Sequence, residues 1–515
     1  MCQYMWLTPH FFTYLLKNDT FLLFMNKYHF RTLLTLIFCF LIFHGQSQVP
    51  DHTGSISGTN RSDSLLLNMK SPHKDAAFIL ATNIGVWSFD RYVLQAEYAR
   101  INFKTVRNNF KSGFVWDNDM FLTNLLLHPY HGGLYFNAAR SNGKNFWQSV
   151  PFAAGGSLMW ELFMENEAPS INDFMATTLG GAALGEMTFR ISDLLIDDRL
   201  TGFDRFKREA LLTVISPVRG LNRIINGDAW KYRNIKGNSI PPTPVVFSIS
   251  AGHRFIADRL YKRQDYSNMI SYDLGLIYGN EFDVGNEKPY DFFAFKLGGN
   301  FFSTQPVVSR VNVLGMLFLN EVPLKKQNMQ LSYGLFQHFN YYESQSDANH
   351  VQLYPYKISE AAAAGPGILY NVSVKNKITL TGSAYLSAIL LGGSQTDHYR
   401  YDERDYNMGS GFSSKLNLAL NINNKLQLEL SAEDYRIYSW VGYAPDDFRD
   451  GIWNVHGDVG NTSLSVGRLG VSYFIRKNIY ITSESSYNHR NSLYKYYPDV
   501  IHQVAEHKLN LGYIF

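Results

Sequence analysis

The chain has 515 residues, with 47 Lys and Arg set against 44 Asp and Glu for a net charge of +3 at pH 7. So neutral a balance gives no reason to expect nucleic acid as a partner. Aromatics are abundant, 33 Tyr and 37 Phe, yet mean hydropathy is -0.18, and no unbroken apolar stretch of ~20 residues follows the N-terminal region, which excludes spanning helices.

From the N-terminus, the basic stretch Met25 to Arg31 leads into the apolar run Leu33 to Phe43 and then into the small and polar residues His44 to Gln48. That order is the pattern of a secretory signal peptide. Residues 25–48 are therefore expected to be an export signal cleaved near Gln48, and residues 1–24 a translation from an upstream start. The apolar run is too short for a membrane anchor. Cys39 sits inside it with large apolar residues after it, which argues against lipid attachment. Both cysteines, Cys2 and Cys39, fall in the segment expected to be lost, so the mature chain would have neither disulfides nor a cysteine nucleophile. Residues 49–75 are polar and read as a flexible leader.

From 76 to 237 the apolar spacing is helical. Helices are expected at Lys104 to Lys111, Tyr130 to Ser141, Phe146 to Asn166, Ile171 to Ile196 and Phe203 to Ile225, with Asn145 and Ser170 placed to cap two of them. Two runs stand out in this region: His128-Pro129-Tyr130-His131-Gly132-Gly133-Leu134-Tyr135-Phe136-Asn137-Ala138-Ala139-Arg140-Ser141-Asn142-Gly143 and Pro169-Ser170-Ile171-Asn172-Asp173-Phe174. With Trp116-Asp117-Asn118-Asp119 upstream and Ser216-Pro217-Val218-Arg219-Gly220 downstream, they resemble an uncharacterised family of bacterial outer-membrane proteins, a domain of unknown function, over roughly residues 80 to 235. The resemblance implies an envelope location and a helical domain joined to a barrel. It implies no reaction.

Candidate chemistry within this region is sparse. His128 and His131 with Glu161 and Glu165, one helical turn apart, make a possible catalytic or metal set, since imidazole and carboxylate suit zinc, iron or manganese. Their spacing is not a known ligand signature, and the ordinary alternative is two interfacial histidines beside a solvated helix face. Ser170 with Asp173 reads as a nucleophile pair or, more simply, as a helix cap. Arg140, Arg190, Arg219 and Arg223 have the planar geometry to bind a lipid phosphate or sugar acid, or to pair with Asp173, Glu186 or Asp193. The small residues Gly180 to Gly185 and Ala153 to Ser157 predict close helix packing.

Pro241, Pro242 and Pro244 stiffen a linker at 238–244. From Val245 to Phe515 polar and apolar residues alternate in segments of roughly a dozen residues. The clearest pair is Leu416 to Ile422 and Leu426 to Ala432, flanking Asn423-Asn424-Lys425. Tight turns at 375–377, 423–425 and 476–478 alternate with long polar connections at 392–412, 441–460 and 491–503. Twelve strands follow, near 245–256, 271–282, 291–302, 310–321, 329–343, 362–374, 378–391, 413–422, 426–440, 461–475, 479–490 and 504–515. The even number puts both ends on one side. In the final strand Leu509, Leu511, Tyr513 and Phe515 share a face, and a terminal Phe515 is the kind of ending read by the barrel assembly machinery. The expected fold is thus mainly β: an outer-membrane antiparallel β-barrel of about twelve strands, preceded by an α-helical domain that hangs on the periplasmic side or plugs the lumen. The expected role is a conduit or envelope scaffold. The alternative is a hydrolase of outer-membrane lipid or glycolipid using His128, His131, Glu161 and Glu165. Outer-membrane lipids are the expected partners, and no cofactor is implied.

Overall fold

A computed structural model describes residues 72–117, 119–258, 266–283, 288–301, 305–324, 328–344, 356–374, 377–398, 404–445 and 457–515. The expected signal peptide and nearly all of the expected leader lie outside these residues.

Alternation becomes pairing along the whole C-terminal region. The strands are β1 (Val245–Asp258), β2 (Tyr266–Tyr278), β3 (Phe293–Phe301), β4 (Arg310–Glu321), β5 (Met329–Tyr342), β6 (Ile358–Val374), β7 (Ile378–Gln395), β8 (Tyr406–Ile422), β9 (Leu426–Ser439), β10 (Gly460–Phe474), β11 (Ile479–Tyr494) and β12 (Val500–Ile514). Each pairs antiparallel with its neighbours in sequence, and β12 returns to β1 to close the barrel. Closure leaves no row of unpaired amides. In the three-residue β8–β9 turn, Asn423 and Asn424 adopt φ of 52° and 54°, the left-handed conformation that asparagine tolerates, and the Lys425 amide donates to the Ile422 carbonyl at 3.0 Å.

The expected strict alternation of short and long connections is not met. β11 and β12 pair up to Ser492 and Val500, and the Tyr494 amide donates to the Asp499 carboxylate at 3.0 Å, so this connection contracts to residues 495–499. Conversely, the β2–β3 connection on the other rim is long, and Tyr290 within it packs on Phe146 and Phe293.

Register separates the two faces of the wall. Asn312 pairs with Asn340 and Arg310 with Tyr342, whereas Val311 and Val313 pair with Tyr341 and Phe339. The first set faces the lumen, because its neighbours meet across the barrel: Arg468 on β10 donates to the Tyr356 hydroxyl next to β6 at 3.1 Å, and Lys508 on β12 lies 3.7 Å from Asp273 on β2. The second set faces outward. On β8 to β12 the outward positions nearest the short turns are apolar and exposed, among them Leu416, Leu430, Leu469, Leu509 and Leu511.

The helical region comprises α1 (Pro72–Tyr92), α2 (Phe103–Ser112), a π-helical turn at Thr123–Leu127 running into α3 (His128–Ser141), α4 (Phe146–Phe163), α5 (Ile171–Met175), a second π turn at Ala176–Gly180 running into α6 (Gly181–Asp193), α7 (Gly202–Ile215) and α8 (Pro217–Ile225). Asn145 caps α4 through a reciprocal bond with Gln148, and the Ser170 hydroxyl accepts from the Asp173 amide at 3.2 Å to cap α5. The expected helix across Phe203 to Ile225 breaks at Ser216, since Pro217 has no amide to donate. Helix α3 crosses closely over the second π turn and the start of α6: a Cβ at Gly132 would lie 1.7 Å from the Thr177 carbonyl oxygen, and one at Gly181 2.6 Å from Gly132 Cα.

These helices cover the outward face of the wall. Gln337, between the lumen-facing Phe336 and His338, donates from Nε2 to the Leu179 carbonyl at 3.0 Å. Asn124 donates to the Tyr406 hydroxyl at 2.9 Å at the long-loop end of β8, Trp116 meets Trp440 just past β9, and the Arg190 guanidinium sits over Tyr278 at the short-turn end of β2. One apolar core joins Phe121, Phe136, Ala183 and Met187 to Val311, Val313, Phe339 and Tyr341. A helical plug in the lumen is therefore not what forms. The lumen is lined by the strands' own charged and aromatic side chains, and the helices pack on the apolar outer wall.

Candidate functional site

Helices α3, α4 and α5 bring the sequence candidates into one neighbourhood without making them a ligand shell. His128 Nε2 lies 3.5 Å from Asp173 Oδ1. His131, one turn on, shares a hydrogen bond with the Tyr135 hydroxyl at 2.8 Å, and its ring meets Trp160 edge-on. Glu161 on α4 accepts from the Ser170 amide at 2.7 Å and thereby holds the start of α5. Among the described residues no three of His, Cys, Asp or Glu are arranged to hold a metal ion. The Ser170 hydroxyl, besides its capping bond, donates to Asn172 Oδ1 at 2.9 Å.

Burial sets the charge of this cluster. It pushes His128 down to about 4, partly opposed by Asp117, and His131 down to about 3, with His128 adding to the effect. Both imidazoles are neutral near pH 7. Burial also pushes Glu161 up to about 7, against the bond from Ser170 and with help from Asp117 and Glu167, and it holds Glu165 and Asp173 well above the usual carboxylate range. Crowded carboxyls that cannot all ionise must share protons. The cluster can take up or release a proton near neutral pH, but it presents no activated nucleophile.

The arginines have carboxylate partners. Arg140 grips Glu186 through Nε and Nη2 at 2.7 and 2.9 Å, and Arg190 bonds the same carboxylate at 2.8 Å and Asp291 at 3.1 Å. Arg219 pairs with Asp193, which also accepts from the Ser239 and Ile240 amides ahead of β1. Arg223 bonds Glu209 and Asp198, each at 2.8 Å. These pairs tie α6 and α8 to the barrel and to the linker, and they occupy the guanidinium groups that a phosphate would need.

A second polar site was not read from the sequence. Inside the barrel, Arg254 on β1 bonds Glu506 on β12 at 2.6 Å, Arg310 pairs with Asp273, and Arg468 pairs with Glu433. Lys415 bonds Glu360 at 2.8 Å. Tyr342, Ile358, Tyr435, Ile437 and Leu464 pack together in the lumen, and Phe292, Met316, Phe336 and Tyr385 form another layer. The charges that pair here are 35 to 252 positions apart, so no local spacing could announce them.

Residues 113–218 match a family described as a domain of unknown function (DUF3943). No curated protein matches the chain. Among solved structures, it is similar to an outer membrane channel from Pseudomonas putida F1 at 7% identity, over 54% of this chain and 97% of that one, with a TM-score of 0.26. The NanC porin is similar at 9% identity, over 52% and 98%, with a TM-score of 0.27. The KdgM porin in complex with disordered oligogalacturonate is similar at 8% identity, over 52% and 99%, with a TM-score of 0.24. With TM-scores this low, the likenesses carry no weight for what this barrel binds or conducts.

Proposed function

We propose that the chain is an outer-membrane β-barrel protein whose barrel acts as a closed anchor and envelope scaffold for its helical domain. Support for the membrane setting comes from the wall itself. A closed sheet has no open edge to leave unpaired in lipid, and the outward leucines of β8 to β12 stand opposite charged lumen-facing residues, the reverse of a soluble protein's polarity. Outer-membrane lipids, and during biogenesis the assembly machinery acting on Phe515, are the proposed partners.

The observation that favours a scaffold over an open conduit is the reach of Arg468 from β10 across the lumen to the Tyr356 hydroxyl beside β6, in a barrel whose interior also holds two clusters of packed aromatic and aliphatic side chains; Glu433 on the neighbouring β9 holds the guanidinium in place. An ion crossing there would have to part the Arg468–Tyr356 contact. Nothing favours the hydrolase alternative, because His128 faces Asp173, His131 bonds Tyr135 and Glu161 accepts from the Ser170 amide. The test is electrical: the mature protein, recovered from outer-membrane fractions and inserted in planar bilayers, is expected to give no stepwise conductance. Regular conductance steps from the unaltered protein would overturn the scaffold reading, and recovery in the soluble periplasm would overturn the location.

A further inference from the structure

Helices α7 and α8 and the segment after them are built with reversed polarity. On α7 the buried positions include Arg205 and Glu209, 5% and 7% exposed, while Phe203, Phe206 and Val214 point outward, Phe203 at 71%. On α8, Arg219, Asn222 and Arg223 are buried, whereas Leu221, Ile224 and Ile225 are exposed, Ile225 at 69%. The buried charges satisfy one another: Arg205 bonds Asp198 at 2.8 Å and Glu209 at 2.9 Å, and Arg223 bonds the same two carboxylates. Trp230, Tyr232 and Ile235 continue the exposed apolar surface, with Lys231 and Lys236 exposed beside them. A helix pair in water hides its apolar stripe and solvates its charges. This one buries Leu212 and Val218 and exposes Asp204, yet it leaves most of its large apolar residues outside and pairs its arginines within.

We propose that α7, α8 and the segment through Ile235 lie in the membrane interface, with Phe206, Val214, Leu221 and Ile225 among the acyl chains of the periplasmic leaflet and Trp230, Tyr232, Lys231 and Lys236 at headgroup level. The proposal rests on the outer-membrane reading of the barrel. Three observations select lipid as the occupant. The exposed surface combines large aliphatic residues with a flanking Trp and Tyr and with lysines, the composition that suits acyl chains below and anionic headgroups above. From Ile235 the chain passes through Pro241 to Pro244 directly into β1, which begins at the short-turn rim, and that rim borders the barrel's own outward apolar band at Leu509, Leu511 and Tyr513. The chain that carries the apolar surface of the helices thus enters the barrel beside a surface already assigned to lipid. Finally, α7 and α8 are far too short to span a bilayer, and among the described residues no helix is long and apolar enough to do so, so an amphipathic pair of this length meets lipid by lying along it. The same arrangement explains why the helical domain rests on the outer wall: two lipid-facing surfaces become one.

Nitroxide labels test this in the full-length protein, with Cys2 and Cys39 changed to Ser, inserted in phosphatidylethanolamine–phosphatidylglycerol vesicles. Single labels go at Phe206→Cys and Ile225→Cys on the helices, at Leu469→Cys and Leu511→Cys on the wall, and at the exposed Glu97→Cys as an aqueous reference. The expected result is a several-fold higher ratio of oxygen to nickel-chelate collisions at Phe206 and Ile225 than at Glu97, matching the wall labels. Helix labels that behave like Glu97 while the wall labels report lipid would overturn the proposal and leave the barrel reading standing. Wall labels that also report water would overturn both. Dipolar broadening between the helix labels of two molecules would assign the surface to a second copy and overturn the proposal as well.

Discussion

Glu161 offers the sharpest test of the buried cluster. Its carboxyl titrates at about 7 in the folded chain against an ordinary value of 4.5, chiefly because burial disfavours the charged form. A folded pKa raised in this way contributes stability that is fully present below about 4.5 and is lost as pH rises through about 7. The interval corresponds to roughly 3 kcal/mol. Glu161→Gln removes the titration but keeps the oxygen that accepts from Ser170. His128 and His131, depressed to about 4 and 3, act in the opposite sense, losing their contribution as pH falls below their unfolded value. Both chains share them, so they cancel in the difference between variant and parent. Trp160 beside His131 reports unfolding of this region by fluorescence in detergent. Between pH 5 and pH 8 the variant's melting midpoint should gain on the parent's by roughly 6–12 °C for a unit of this size. A difference that stays constant across that range would refute the reasoning, and so would one that shrinks.

Four further outcomes are expected. Gly132→Ala places a Cβ 1.7 Å from the Thr177 carbonyl, so α3 and the π turn at Ala176–Gly180 must separate, and thermal unfolding should show a loss of about 1–3 kcal/mol or more. Arg468→Ala strands Glu433 inside the barrel and should cost about 3–5 kcal/mol, read as a lower temperature for the gel-mobility shift on heating, and should also admit measurable ion current. Tags inserted at Asn424 and Lys477 should be protected in intact cells, while a tag next to Arg404 should be reachable from outside; the reverse pattern would invert the orientation. Deleting Phe515 should reduce barrel assembly, with unfolded protein accumulating in the periplasm, and normal insertion of the truncated chain would contradict its role as an assembly signal.

Strand identity was legible because alternation is local: Leu416 to Ile422 and Leu426 to Ala432 show the two faces of a hairpin before any partner is known, and two asparagines suffice for its turn. The caps at Asn145 and Ser170 were legible for the same reason, since a cap needs only the next three residues. Helix α1 was not, because Ala76 to Trp87 is apolar on every side and has no stripe to measure. Nor were the ion pairs of Arg468 and Arg254, whose partners depend on how the barrel closes. The candidate residues His128, His131 and Glu161 were found, but their protonation was not, because burial comes from Trp160, Asp117 and α5 arriving together. Most of all, helical spacing in α7 and α8 marks an apolar face without saying what it meets. Only the packed chain, with Arg205, Glu209 and Arg223 joined inside and the outer wall already occupied by α3 and α6, turns that face outward, because buried charges hold their place only where their counter-charges converge.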